Sequence, residues 1–154
     1  MIQIPAPIAL GDAQLDHDHS ELLRLSRALL DAPCHEALVA LENLYAATRV
    51  HFALEDADLR RVGGNNASCH LDEHALVLKS LNEVLGLLRD PGTAQAKSNQ
   101  LISSLSMELL RWLPEHIREM DSGLASERSK SRFGGVPVIL ALHRSTQREN
   151  HRNS

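Results

Sequence analysis

The sequence predicts an all-α protein: an antiparallel up-down-up-down four-helix bundle with a C-terminal extension. Three observations predict it. The apolar residues are mostly Leu, Ala, Ile and Val, with only four aromatics (Tyr45, Phe52, Trp112 and Phe133), and abundant Leu, Ala and Glu favour helix. Four long segments repeat their apolar residues at helical spacing rather than in strand alternation. The junctions between them are short and rich in Pro, Gly or Asn, residues that end helices.

The elements follow in order. After an irregular lead-in with Pro5, Pro7 and a Gly11-Asp12 turn signal, a first helix is expected over about residues 15–31. Leu15, Leu22, Leu23, Leu25, Leu29 and Leu30 form its stripe, and Asp16 serves as a cap or first-turn acid. His19 falls on that stripe, whereas His17 shares the outer face with Glu21 and Arg24. Ala32-Pro33-Cys34 breaks the chain. The second helix is expected over about residues 35–61, with Leu38, Leu41, Leu44, Tyr45, Thr48, Phe52 and Leu59 inward. Gly63-Gly64-Asn65-Asn66 ends it, and Ser68 can cap a third helix over about residues 69–89, which Asp90-Pro91-Gly92 stops. A fourth runs from about residue 93 to 124. Pro114 lies inside it and should kink or bulge the backbone.

Composition excludes some functions. Residues 1–125 hold 10 Lys/Arg against 18 Asp/Glu, a balance of −8, while residues 126–154 hold 6 against 2, a balance of +4. An acidic body argues against nucleic-acid binding, which needs a basic face. No apolar run approaches the roughly 20 residues of a membrane helix, and residues 1–10 lack the basic start of a targeting segment. The expectation is a soluble, cytoplasmic protein with no nucleic-acid or membrane partner. Residues 1–125 form the bundle, and residues 126–154 form a basic extension. That extension holds a short apolar run, 136–142, which either docks on the bundle or contacts a protein partner. Cys34 and Cys69 fall at opposite ends of the bundle, too far apart for a disulfide.

The chemistry is concentrated in HFALEDADLRRVGGNNASCHLDEH, residues 51–74. His51 and Glu55, then His70 and His74, are spaced four apart, so each pair points one way from its helix. In an up-down-up-down bundle, the starts of helices one and three share an end with the finishes of helices two and four. His19, His51, Glu55, His70, His74, His116 and Asp121 therefore meet at one end, all on inward stripes. Burying five imidazoles and two carboxylates together is costly unless a cation neutralises them. They are too many for one tetrahedral zinc and suit two ions with bridging carboxylates, and mixed nitrogen and oxygen donors suit iron. The five-residue step from His116 to Asp121 fits an α-helix poorly. Either a π-type bulge near Pro114 or a sideways reach would bring both groups to one centre.

The motifs LDHDH, HFALED, HLDEH and WLPEHIREMD resemble those of the hemerythrin family, the four-helix non-haem di-iron oxygen-binding proteins, over roughly residues 12–125. The resemblance implies two iron ions in an oxo- or hydroxo-bridged di-iron centre. His70, His74 and His116 would hold one iron and His19 and His51 the other, with Glu55 and Asp121 bridging. It also implies dioxygen binding at an open position on the two-histidine iron, in a pocket lined by Leu113 with Trp112 and Phe52 nearby. Three positions depart from the family pattern: Asp18 replaces a frequent Gln, Leu59 a common Met, and Val62-Gly63-Gly64 the usual turn. Glu73 and Asp72 read as solvated acids, with a role against the ligand imidazoles as the lesser reading. The implied function is reversible oxygen binding for storage, delivery or sensing. The alternatives are a di-iron oxidoreductase acting on peroxide or nitric oxide, with Cys69 or the His17/Asp18 pair delivering protons, and an iron or redox sensor signalling through its tail.

Overall fold

The computed structural model describes residues 8–132. The apolar run 136–142, and with it the expected partner contact through the tail, lies outside the described residues. The elements are α1 (Ala13–Asp31), α2 (Ala37–Val62), α3 (Ala67–Arg89), α4 (Gln95–His116), a π turn (Ile117–Asp121) and α5 (Ser122–Arg132). α1 packs on α2 and α4, and α2 packs on α3. α3 and α4 approach each other less closely, and an apolar surface groove floored by Leu105, Leu109 and Trp112 opens between them. Among the described residues, no helix is long and apolar enough to cross a membrane.

The core is a Leu-rich column with Leu22, Leu29, Leu41, Leu44, Leu81, Leu85 and Ile117 at its centre. Full burial of each such side chain contributes about 1.5–3 kcal/mol. Three small polar residues share this interior without cost to it, because each hydroxyl donates to the carbonyl one turn back. Ser26 bonds Leu22 at 2.8 Å, Thr48 bonds Leu44 at 2.7 Å and Ser106 bonds Ile102 at 2.7 Å.

The helix ends differ from expectation in detail. Of the two roles expected for Asp16 it takes that of first-turn acid, and Asp12 caps α1 by accepting from the Leu15 N–H at 3.1 Å. Asp16 instead accepts from the Leu10 and Gly11 N–H groups at 2.7 and 3.1 Å, folding the lead-in back on the helix. Gly63 closes α2 with φ of 68° and donates to the Leu59 carbonyl at 2.9 Å, the left-handed cap that glycine provides. α3 starts at Ala67, so Ser68 lies inside the helix and not at its cap.

Beyond the bundle, the helical path continues through residues 126–132, which sequence composition marks as a polar linker. Tertiary ion pairs account for this. Arg128 donates to Asp58 at 2.7 Å and to Gln14 at 3.1 Å, and Arg132 donates to Asp12 at 3.0 Å. These contacts tie α5 to α1 and α2 across long sequence separations. Arg128→Ala is expected to lower stability by about 1–2 kcal/mol while leaving metal stoichiometry unchanged, as chemical denaturation and elemental analysis would show.

Candidate metal centre

Each candidate ligand is placed by helical register. His19 lies two turns into α1, on the face that carries Leu15, Leu22 and Leu23. His51 and Glu55 stand one turn apart on α2, and His70 and His74 open α3. All are buried, between 0% and 3% exposed, as are His116 (3%) and Asp121 (1%). The last pair depends on backbone geometry. α4 runs through Pro114 to His116 and then widens: the Ser122 N–H bonds the Ile117 carbonyl five residues earlier. That extra residue per turn is what lets a five-residue step return to the same side of the helix. His116 Nε2 and Asp121 Oδ1 consequently lie 3.0 Å apart. Of the two geometries open to the sequence, the chain adopts the π turn.

The donor atoms form two groups that share both carboxylates. One comprises Glu55, His70, His74, His116 and Asp121, the other His19, His51, Glu55 and Asp121, with all donor atoms of a group within 4.8 Å of one another. The carboxylates are divided oxygen by oxygen. Glu55 Oε1 lies 2.7 Å from His51 and 3.6 Å from His19, while Oε2 lies 3.2 Å from His74 and 3.6 Å from His70. Asp121 Oδ2 lies 2.9 Å from His19, and Oδ1 lies 2.9 Å from His70. Each acid thus presents one oxygen to each group.

Three acids outside these groups orient the imidazoles. His51 Nδ1 donates to Asp18 at 2.9 Å, His74 Nδ1 to Asp56 at 2.7 Å and His116 Nδ1 to Glu73 at 2.6 Å. The sequence reads Glu73 first as a solvated acid and gives Asp56 no role. The signal was nevertheless in the sequence: each acid is the chain neighbour of a candidate ligand (18/19, 55/56, 73/74). Each secures a histidine on the next helix, from α1 to α2, α2 to α3 and α3 to α4. With Nδ1 as the donor, each ring turns its Nε2 inward, the atom that a metal would take. The deviation from family pattern at Asp18 therefore has a structural use. Asp56→Ala should weaken metal affinity about 10–100-fold, with Asp56→Asn restoring part of it; competitive titration against a chelator would measure both.

Aromatic rings brace one half of the site. Phe52 stacks on His74 with centroids 3.8 Å apart and planes 9° apart, and Trp112 stacks on His116 at 4.3 Å. Trp112 and His116 are one turn apart on α4, which is why the indole lies over the imidazole. Both rings thus back the three-histidine group, with Phe52 also tilted 6.0 Å from His51. Leu113 is buried in the core beside them.

Several atoms in this interior have no hydrogen-bond partner: both nitrogens of His19 and all four carboxylate oxygens of Glu55 and Asp121. The short His–carboxylate distances are misaligned for hydrogen bonds. The Nε2 atoms of His74 and His116 face each other at 3.1 Å, while the Nδ1 of each ring faces an acid. Such crowding is costly in a dry interior and is relieved by cations between the donors. In the metal-free protein, protons partly substitute. Burial lowers the His19 pKa, but contacts with Asp121 and Glu55 outweigh it and raise it to about 9. His70 is likewise raised to about 9 against its burial by the same two acids. Glu55, although burial favours its neutral form, is held well below the carboxylate range by the surrounding histidines. Asp121 is lowered in the same way by His116, His19 and His70.

Cys34 and Cys69 are both exposed and free; Cys34 Sγ donates to Asn99 at 3.3 Å.

Comparison with known proteins places this geometry. No solved structure matches the chain significantly. A Bacteriohemerythrin from Ralstonia nicotianae (strain ATCC BAA-1114 / GMI1000) is 32% identical over 121 residues, covering 79% of this chain and 84% of that protein. The sequence profile of the Hemerythrin HHE cation binding domain matches residues 10–127, a span that contains all seven candidate ligands, and the chain belongs to that family of cation-binding four-helix bundles.

Proposed function

We propose that the bundle holds two iron ions and binds dioxygen reversibly, for storage, delivery or sensing. The observation that carries this reading is the division of Glu55 and Asp121, each offering one oxygen to a three-histidine group and one to a two-histidine group. His70, His74 and His116 would hold one ion and His19 and His51 the other. Five imidazoles, two carboxylates and no thiolate form a donor set that suits iron. The smaller group has one histidine fewer and so would leave an ion held there a position for an external ligand.

Two ferrous ions, when bound, supply two electrons and an open coordination position to dioxygen. The chain's own residues do the rest. Asp18, Asp56 and Glu73 fix ring orientation, while Phe52 and Trp112 hold the imidazoles of His74 and His116 in place. The Leu-rich core around Leu113 and Ile117 excludes water, which slows charge separation and loss of electrons. Asp18 accepts from His51 Nδ1 and so is committed to positioning, which favours binding over proton-delivering turnover.

Anaerobic loading with ferrous iron followed by air tests the reading. Near-UV and visible charge-transfer bands should appear on aeration and disappear under vacuum. Bands that never form, or oxygen consumption that continues without a stable adduct, would overturn it.

A further inference from the structure

A cavity of about 260 Å³ lies at the site end of the bundle, between the α2–α3 turn and the π turn. His70 is on its lining, although that side chain is almost fully buried. None of the other six candidate ligands lines it, and the cavities between α3 and α4 and beside α5 reach none of the seven. Three glycines open its walls between larger residues such as Leu59 and Leu124. Gly63 and Gly64 form one side and Gly123 the other, and a Cβ added at Gly123 would meet nothing within 4 Å. Met120, half-buried in the π turn, supplies a flexible thioether, the kind of side chain that moves aside at low cost. At the rim stand Glu119 and Glu127, the latter paired with Lys130 at 3.2 Å.

We infer that this cleft is the route by which divalent cations reach the buried donors, with Glu119 and Glu127 gathering the ion and His70 taking it inward. The inference rests on the metal-binding reading above. A carboxylate-rimmed mouth concentrates cations and does nothing for a neutral diatomic gas. His70 is placed for hand-over: its Nε2 lies 2.9 Å from Asp121 Oδ1 and 3.2 Å from His116 Nε2. An ion captured by His70 at the cleft floor meets the remaining donors of the larger group without crossing apolar core.

The test mixes metal-free protein with cobalt(II) in a stopped-flow instrument, follows the visible absorption of bound cobalt, and measures final stoichiometry by elemental analysis. Gly123→Phe fills the cleft from a helix position with no strained φ. It should load about tenfold more slowly or worse, to the same final stoichiometry as the wild type. Ser104→Phe, which fills the α3–α4 groove instead, should load at the wild-type rate. Glu119→Gln combined with Glu127→Gln should slow loading at low ionic strength by about tenfold and converge with wild type at high salt. Wild-type loading speed in a folded Gly123→Phe, or equal slowing in Ser104→Phe, overturns the route. If circular dichroism shows that Gly123→Phe has lost its helices, the double glutamine variant decides, and an unchanged salt dependence there overturns it. Failure of the wild type to bind cobalt at all rejects the metal-binding reading itself, a result distinct from fast loading through a plugged cleft.

Discussion

On the proposed two-iron reading, Glu55→Ala is expected to leave one ion or fewer per chain where the wild type holds two, and to abolish the charge-transfer spectrum. The reason is geometric. Glu55 is 0% exposed and has no hydrogen-bond partner, while its two oxygens approach four histidines from both groups. Truncation removes one donor from each group and one of the two negative charges that neutralise the ions. His19→Ala provides the contrast, because it takes a histidine from the smaller group alone. That variant should keep one ion on His70, His74 and His116. Elemental analysis after gel filtration separates the two outcomes. Retention of two ions by Glu55→Ala would show that the carboxylate does not bridge.

The second large effect is on pH. In the metal-free protein, His19 and His70 have pKa values raised from 6.5 to about 9. A group raised on folding contributes stability that is full below its unfolded pKa and is lost as pH climbs through its folded value. Each histidine is therefore worth on the order of 3 kcal/mol at pH 6, and that contribution is lost by pH 9 and above. The depressed values of Glu55 and Asp121 report the same contacts from the acid side; they are lost as pH falls below the ordinary carboxylate range and are not added to the total. The urea midpoint of metal-free protein should thus be highest near pH 5–6.5 and fall markedly toward pH 9. Metal reverses this dependence, since ligand imidazoles must be deprotonated. Loading at pH 7.5 should release about two protons per chain, measurable with an indicator dye in weak buffer. Release of none would mean that these two histidines are already neutral.

Much of the site was legible because helical spacing is local and periodic. Given four helices with short connections, the positions of His19, His51, Glu55, His70, His74, His116 and Asp121 along the chain require that they meet at one end. No knowledge of packing detail is needed. Caps and helix limits were less legible. Asp12 and Asp16 are both good N-terminal acids, and only the path of the lead-in decides which of them binds Leu15. The helical state of residues 126–132 depends on Arg128 and Arg132 finding Asp12 and Asp58 from other helices, contacts that composition cannot announce.

By itself, then, the sequence determined the bundle and the seven inward donors, because each stripe follows from helical register and the short connections set which ends meet; the three-against-two division of the histidines was implied only by the family resemblance. Tertiary structure alone decided the rest. It resolved the awkward His116-to-Asp121 step in favour of a π turn and assigned each carboxylate oxygen to its group. It made Asp18, Asp56 and Glu73, of which the sequence marks only Glu73 as a solvated acid, the groups that aim His51, His74 and His116, and it set Phe52 and Trp112 against the three-histidine side. The carboxylate assignments, the acid–histidine pairs and the Phe52–His74 stack depend on distances between neighbouring helices, which vary continuously with packing, whereas the π turn is a choice of local backbone path between two geometries that the sequence leaves open.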